Sequence, residues 1–184
     1  DVKQLVIDEA DRMLDMGFAD DLEAIDKRCA GRNQTLMFSA TFAPKIMSLA
    51  NELTTDAKRI ELAHAGEKHA NIEQKLHWAD SMSHKHKLLE HILADADLDQ
   101  AVVFASTQVE SEKIADTLRA NGYEASALHG AMPQAVRMRR LESLRKGHTK
   151  ILVATDVAAR GIDVPRISHV INFGLPMKPE DYTH

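Results

Sequence analysis

Cysteine is nearly absent from this sequence. Cys29 is the single one in 184 residues. That excludes an intramolecular disulfide framework and a cysteine-rich zinc site, and it fits a reducing cytosol. Long apolar runs are missing as well. None approaches the roughly 20 residues that cross a bilayer as a helix, so no membrane partner is expected. An excess of basic residues is also missing. The formal net charge of −5 argues against a protein that coats nucleic acid over its whole surface. Ten histidines are present, yet only His84, His86 and His91 cluster. His84 and His86 lie two apart and cannot share a helix face, and no carboxylate or cysteine completes a ligand set. No internal repeat or low-complexity tract occurs.

What is present points to a globular α/β protein. A 44% hydrophobic and 28% charged composition is ordinary for that class. The strongest signal is Leu5-Val6-Ile7-Asp8-Glu9-Ala10-Asp11. Its apolar start is the pattern of a buried parallel strand. Asp8 and Glu9 follow at the carboxyl end, where open α/β sheets bind ligands. Such a pair suits a magnesium–nucleotide complex, with Asp8 for the hard cation and Glu9 for the water attacking a terminal phosphate. Two solvated carboxylates at a strand end are the competing reading. A second apolar run, residues 35–38, ends in Ser39-Ala40-Thr41, whose small hydroxyls suit hydrogen bonding to a polar neighbour. Between the two runs, residues 19–29 read as a helix. Leu22, Ala24 and Ile25 form its apolar side, and Asp20, Asp21 and Glu23 load its first turn. A strand–helix–strand unit brings both polar tips to one sheet edge.

Residues 44–53 read as a further helix opened by Pro44, and residues 60–62 as a short strand. Residues 63–71 lack apolar periodicity, contain Gly66 and read as a linker. A new pattern starts at Ile72. Ile72 and residues 75–78 suggest a strand, and residues 85–93 a helix with Leu88, Leu89, Ile92 and Leu93 as its apolar side. Strands at 101–105, 126–129, 150–154 and 170–173 then alternate with helices at 109–121 and 134–145, closed near Gly122 and Gly147. That alternation implies a parallel sheet with helices on both faces. Charge is unevenly spread. Between Gln134 and Lys150, the bases Arg137, Arg139, Arg140, Arg145, Lys146 and Lys150 stand against one acid, Glu142. Such a patch binds phosphates within an acidic chain, or is the solvated face of a helix.

Two further observations suggest an internal piece of a longer protein. A first segment of about 60 residues buries little surface, and its opening strand has no partner before it. The phosphate-cradling run G-x-x-x-x-G-K-[ST] occurs nowhere, although an acidic strand end of this type works with one.

Asp8-Glu9-Ala10-Asp11, then Ser39-Ala40-Thr41, then Ala154-Thr155-Asp156-Val157-Ala158-Ala159-Arg160-Gly161-Ile162-Asp163 stand in the order and spacing of DEAD-box RNA helicases. Asp11-Arg12-Met13-Leu14-Asp15-Met16-Gly17-Phe18 and Gln34-Thr35-Leu36-Met37-Phe38-Ser39-Ala40-Thr41 also resemble this family, and its bacterial members in particular. The resemblance spans essentially the whole chain. It implies RecA-like parallel sheets with flanking helices in two tandem domains. The first is only partly present (residues 1–62), a linker follows (63–71), and the second (72–184) is truncated at its end. It implies ATP and Mg2+ as cofactors, RNA as partner, ribosome-assembly or RNA-turnover proteins as further partners, and a cytoplasmic setting.

Site roles follow from the same resemblance. Asp8 binds magnesium and Glu9 activates water. Asp11 hydrogen-bonds with Ser39, with Thr41 and with a histidine that His184 resembles. Asp163 contacts the ATP ribose and Arg160 the γ-phosphate. Gln134 and Arg137 form a Q-x-x-R element on RNA phosphates. Thr155 and Gly161, with the segments containing Thr107 and Gly130, line the same RNA groove. Blander roles stand beside these: a turn shaped by Thr155 and Gly161, a structural ion pair for Arg160, a solvated helix face for Arg137. Gly174 is a departure, since the family usually carries an acid there. The family's phosphate loop lies upstream of the acidic tetrad and its arginine finger just beyond the place of His184. The 184 residues alone are therefore expected not to hydrolyse ATP. The implied activity of the parent is ATP-dependent RNA unwinding. An ATP-switched RNA clamp or chaperone is the alternative, and the motif set disfavours a DNA translocase.

Overall fold

Two short apolar runs, β1 (Gln4–Ile7) and β2 (Gln34–Met37), pair in parallel, with Val6 opposite Leu36 and Ile7 opposite Met37. Parallel strands need a crossover. Helices α1 (Ala10–Asp15) and α2 (Ala19–Arg28) supply it, and α3 (Pro44–Leu53) follows β2. The computed structural model describes residues 2–61, 72–159, 162, 164–176 and 182. The chain divides into two compact units, residues 1–73 and 74–184.

In the first unit, Ile7, Ala10, Leu22, Leu49 and Leu53 form the core, with Leu5, Met13, Leu14 and Met37 packed against it. Asp20 and Asp21 open α2 and Lys27 and Arg28 close it, matching the helix dipole at both ends. Arg32 is the staple. Its Nε donates to Thr35 Oγ1 (2.6 Å), and its Nη2 to Asp26 Oδ1 (2.5 Å) and the Leu53 carbonyl (2.9 Å). One guanidinium thus ties the end of α2, the start of β2 and the end of α3. The expected burial of the Leu5-Val6-Ile7 run holds on one face only. Val6 is 56% exposed, because α1–α3 cover one side of this two-stranded sheet.

The second unit holds a four-stranded parallel sheet in the order β4-β5-β3-β6. Its strands are β3 (Gln100–Phe104), β4 (Ala125–Leu128), β5 (Ile151–Ala154) and β6 (Ile167–Asn172). Its helices are α4 (Met82–Leu93), α5 (Gln108–Ala120), α6 (Gln134–Arg145) and the single turn α7 (Asp156–Ala159). Alternate side chains of the central strands feed two cores. Ala101, Val103, Ile151 and Val153 meet Leu89 and Leu93 of α4 and Ile114 and Leu118 of α5. Val102, Leu152 and Ala154 meet Leu144 of α6 and Ala158 of α7. β5 is buried along its whole length, as a strand covered on both faces must be. Gln100 is the one fully buried amide at the strand starts. Its Nε2 donates to the carbonyls of Leu144 (2.7 Å) and Thr149 (2.8 Å), joining β3 to the end of α6.

Three expectations change. Ile60 and Glu61 are not in a strand, and Leu62 lies outside the described residues. Residues 72 and 75–78 form no strand either: Leu76 and Trp78 are 79% and 84% exposed. Apolar alternation makes a strand only where a ladder partner exists, and neither segment has one among the described residues. Conversely, α1 and α7 are too short for periodicity to reveal. The linker at 63–71 lies outside the described residues.

Gly174 is buried and donates its N–H to the Phe104 carbonyl at 2.8 Å. A Cβ there would sit 2.7 Å from the Ser106 backbone nitrogen. The acid usual in the family has no room in this chain. Gly174→Ala should lower stability by about 1–3 kcal/mol, read from the urea unfolding midpoint; an unchanged midpoint would mean the tip yields freely. A second expectation concerns acid. Arg166 forks onto Asp99 (Nε–Oδ2 2.9 Å, Nη2–Oδ1 2.7 Å), with Lys150 Nζ at 3.5 Å. The Arg166 hydrogen bonds hold the Asp99 carboxyl below its usual range. The pair's contribution is present above about pH 4, where the unfolded carboxyl is ionised, and is lost as pH falls through the lower folded value. Wild type should therefore melt above Asp99→Asn at pH 7, and the gap should narrow as the pH falls below the usual carboxylate range. A gap that is independent of pH would contradict this.

Candidate functional site

The acidic tetrad begins where β1 ends. Asp8 and Glu9 are exposed at the strand tip, while Ala10 and Asp11 turn inward and are buried. The change of direction is made at Glu9, which adopts the left-handed conformation (φ 51°, ψ 47°) and caps α1. A non-glycine residue there costs on the order of 1 kcal/mol. Local bonds offset it. Glu9 N–H donates to Asp8 Oδ1 (2.9 Å), the Glu9 carbonyl accepts from Met13 N–H (3.1 Å), and Arg12 Nη1 meets Glu9 Oε2 at 3.1 Å. The Glu9–Arg12 spacing of three was a readable pairing signal; the left-handed turn carries none in the sequence.

Ser39-Ala40-Thr41 emerges beside it. Phe38 N–H donates to the Ile7 carbonyl (2.8 Å), and Ala10 N–H donates to the Phe38 carbonyl (3.0 Å). The ladder is thus carried past both strands, setting the tetrad against the hydroxyl motif. Asp11 Oδ1 accepts from Arg12 N–H at 3.0 Å. Ser39 Oγ is buried with no hydrogen-bond partner among the described residues, and Thr41 is half-buried. Asp8 offers exposed carboxylate oxygens, the hard donors that magnesium takes.

The second unit repeats the arrangement with four tips. Ala105 N–H donates to the Ala154 carbonyl (2.9 Å), Thr155 N–H to the Leu128 carbonyl (3.1 Å), and Gly174 N–H to the Phe104 carbonyl (2.8 Å). These bonds lace the carboxyl ends of all four strands. Thr107 follows β3 and caps α5, its Oγ1 accepting from Glu110 N–H (3.0 Å), while Glu110 Oε2 accepts from Ser106 N–H (2.7 Å). Gly130 lies in the exposed turn after β4. The Thr155 carbonyl accepts from Ala158 and Ala159 N–H, both at 3.0 Å, and opens α7. Gln134 is exposed at the first turn of α6. Arg137, one turn on, is half-buried, and its Nε is buried with no hydrogen-bond partner among the described residues. Arg137 is therefore not on the solvated face of the helix, whereas Arg139 is. The basic run divides: Lys146 pairs with Glu142 at 2.7 Å, and Lys150 with Asp99. Arg160, Gly161, Asp163 and His184 lie outside the described residues.

Comparison with known proteins agrees with this geometry. The model of the DEAD/DEAH box helicase family matches residues 1–49, and that of the helicase conserved C-terminal domain matches residues 84–184. The chain is 43% identical over its full length to the ATP-dependent RNA helicase RhlB of Pseudomonas syringae, covering 46% of that protein. It is 40% identical to the ATP-dependent RNA helicase SrmB of Escherichia coli, covering 41% of it. The chain thus spans about half the length of the curated relatives it matches. Among solved structures, S. cerevisiae Dbp5 bound to RNA and ADP BeF3 superposes with a TM-score of 0.87 at 30% identity, over 99% of this chain and 48% of that one. The chain belongs to the DEAD-box helicase family, with RecA-like parallel sheets and bacterial ATP-dependent RNA helicases among its relatives.

Proposed function

We propose that this chain is part of the core of an ATP-dependent RNA helicase that couples ATP binding and hydrolysis to RNA binding and local duplex unwinding. The observation that carries the reading is the shared carboxyl edge of each parallel sheet, where the motif residues emerge together. Residues 1–62 supply the later part of the ATP-binding domain and residues 72–184 most of the second domain. Asp8 would hold Mg2+, whose charge would neutralise the ATP phosphates. Glu9 accepts a proton from the attacking water, and its left-handed backbone keeps the carboxylate on the exposed side of the tip. Asp11, Ser39, Thr41 and His184 are the residues whose polar groups would link the ATP state to RNA grip, although Ser39 Oγ makes no hydrogen bond to Asp11 in this structure. Asp163 and Arg160 contact nucleotide.

Thr107, Gly130, Gln134, Arg137, Thr155 and Gly161 contact the RNA backbone, so binding is weakly sequence-specific and salt-sensitive. The Dbp5 structure with RNA and a nucleotide analogue supports both ligands. The structure of E. coli SrmB bound to regulator of ribonuclease activity A, which matches 61% of this chain at 38% identity, supports an RNA-turnover partner for that relative. No helix among the described residues is long and apolar enough to cross a membrane, and a cytoplasmic enzyme fits. An ATP-switched clamp shares the same residues and differs only in failing to separate duplex strands.

The test is ATP hydrolysis by the full-length parent with and without single-stranded RNA, beside Glu9→Gln. RNA should stimulate turnover strongly, and Glu9→Gln should lower it by about 100-fold or more. Activity surviving the substitution, or indifferent to RNA, would sink the assignment. The 184-residue chain by itself should show no turnover above its own Glu9→Gln variant.

A further inference from the structure

Helix α6 carries Gln134 and Arg137, yet its packing against the apolar core lies in its second half, at Leu141 and Leu144. Leu144, at its far end, is the only fully buried residue in Gln134–Arg145. The N-terminal half has no side-chain cap, since Pro133 occupies that place. A helix half without a buried residue needs other ties to hold one orientation.

The ties meet at one carboxylate. Arg140 Nη1 donates to the Ala127 carbonyl of β4 at 2.5 Å and lies 3.6 Å from Glu112 Oε1. The same Glu112 oxygen bonds His129 Nε2 at 3.0 Å, at the tip of β4. Glu112 stands on α5, which packs on the opposite face of the sheet from α6. Among the described residues β4 is an edge strand, paired with β5, so alternate carbonyls point away from the sheet. Arg119 of α5 donates to the Ala125 carbonyl at 3.3 Å, and Arg140 to Ala127. Glu112 therefore closes a bridge over the edge of the sheet, from α5 through His129 and Arg140 to α6. His129 is 12% exposed and its Nδ1 is buried without a partner among the described residues. Among the described residues, the ring's directional tie is Glu112.

We propose that Glu112 is a positioning residue for RNA binding: through His129 and Arg140 it holds the first half of α6, and with it Gln134 and Arg137, against the tip of β4. The proposal rests on the RNA-contact reading of Gln134 and Arg137. Removing Glu112 takes away the ion-pair partner of Arg140 and frees the imidazole, so α6 loses its lateral anchor while both apolar cores remain intact.

The experiment uses the full-length parent and a fluorescein-labelled single-stranded oligouridine. Glu112→Ala should weaken RNA affinity by about tenfold, raise the RNA concentration needed for half-maximal ATPase, and leave kcat at saturating RNA within about twofold. Glu112→Gln keeps an oxygen acceptor for His129 and a polar neighbour for Arg140, and should recover most of the affinity. The double variant Glu112→Ala with Arg137→Ala should bind no more than about threefold weaker than Arg137→Ala alone, because both act on one contact. Amide exchange in residues 135–140 should quicken in Glu112→Ala while β3 and β5 stay protected. Unchanged affinity in Glu112→Ala, full multiplication of the two losses, or a Glu112→Gln as weak as Glu112→Ala would each overturn the bridge. Unchanged affinity in Arg137→Ala alone would instead overturn the RNA surface on which the bridge depends.

Discussion

Parallel strand pairing is the constraint from which the rest follows. Every described ladder in both units is parallel. Parallel ladders send all carboxyl ends to one edge and force each connection to cross over as a helix or loop. Motifs far apart in sequence are thereby collected without any direct attraction between them. In the first unit that edge gathers Asp8-Glu9-Ala10-Asp11 and Ser39-Ala40-Thr41 through the Ala10–Phe38 backbone bond. In the second it gathers Thr107, Gly130, Thr155 and Gly174. The apolar strands supply the rigidity, and their tips bring the motif residues together.

The same constraint creates a weakness that the molecule answers with charge. An open parallel sheet ends in unpaired carbonyls. On β4 two arginines from opposite faces, Arg119 and Arg140, meet those carbonyls. Sealing the edge and orienting α6 are then one task, which explains how a helix whose first half has no buried residue can hold a fixed place. Similar use of polar staples recurs at Arg32 in the first unit and at Gln100 in the second. Each joins the ends of elements whose middles meet in an apolar core.

Much of this was legible in the sequence, for physical reasons that differ by element. α6 is readable at its observed ends because Pro133 precedes it and Gly147 follows within two residues, both strong punctuation. Buried strands β3 and β5 announce themselves as continuous apolar runs. Residues 60–62 and 75–78 mislead because alternation reports what a strand would look like and is silent on whether a partner exists. α1 escapes because six residues hold too little periodicity. In the site, residue types and order point to the carboxyl-edge motifs, while three-dimensional facts stay hidden. The left-handed turn at Glu9, the fit of Gly174 against Ser106, and the Glu112 bridge join residues whose proximity depends on the finished sheet. The six bases after Gln134 read as one patch, but folding splits them between half-buried and solvated positions.

The most direct test of the central claim, that the carboxyl edge of the second sheet grips an RNA backbone, is the salt dependence of single-stranded RNA binding by the full-length protein and its Arg137→Ala variant. The expected result is a linear fall of log affinity with log salt, its slope shallower by about 0.7 in the variant for each phosphate that Arg137 neutralises. Identical slopes for the two proteins would show that Arg137 touches no phosphate, and would contradict the placing of RNA along this edge.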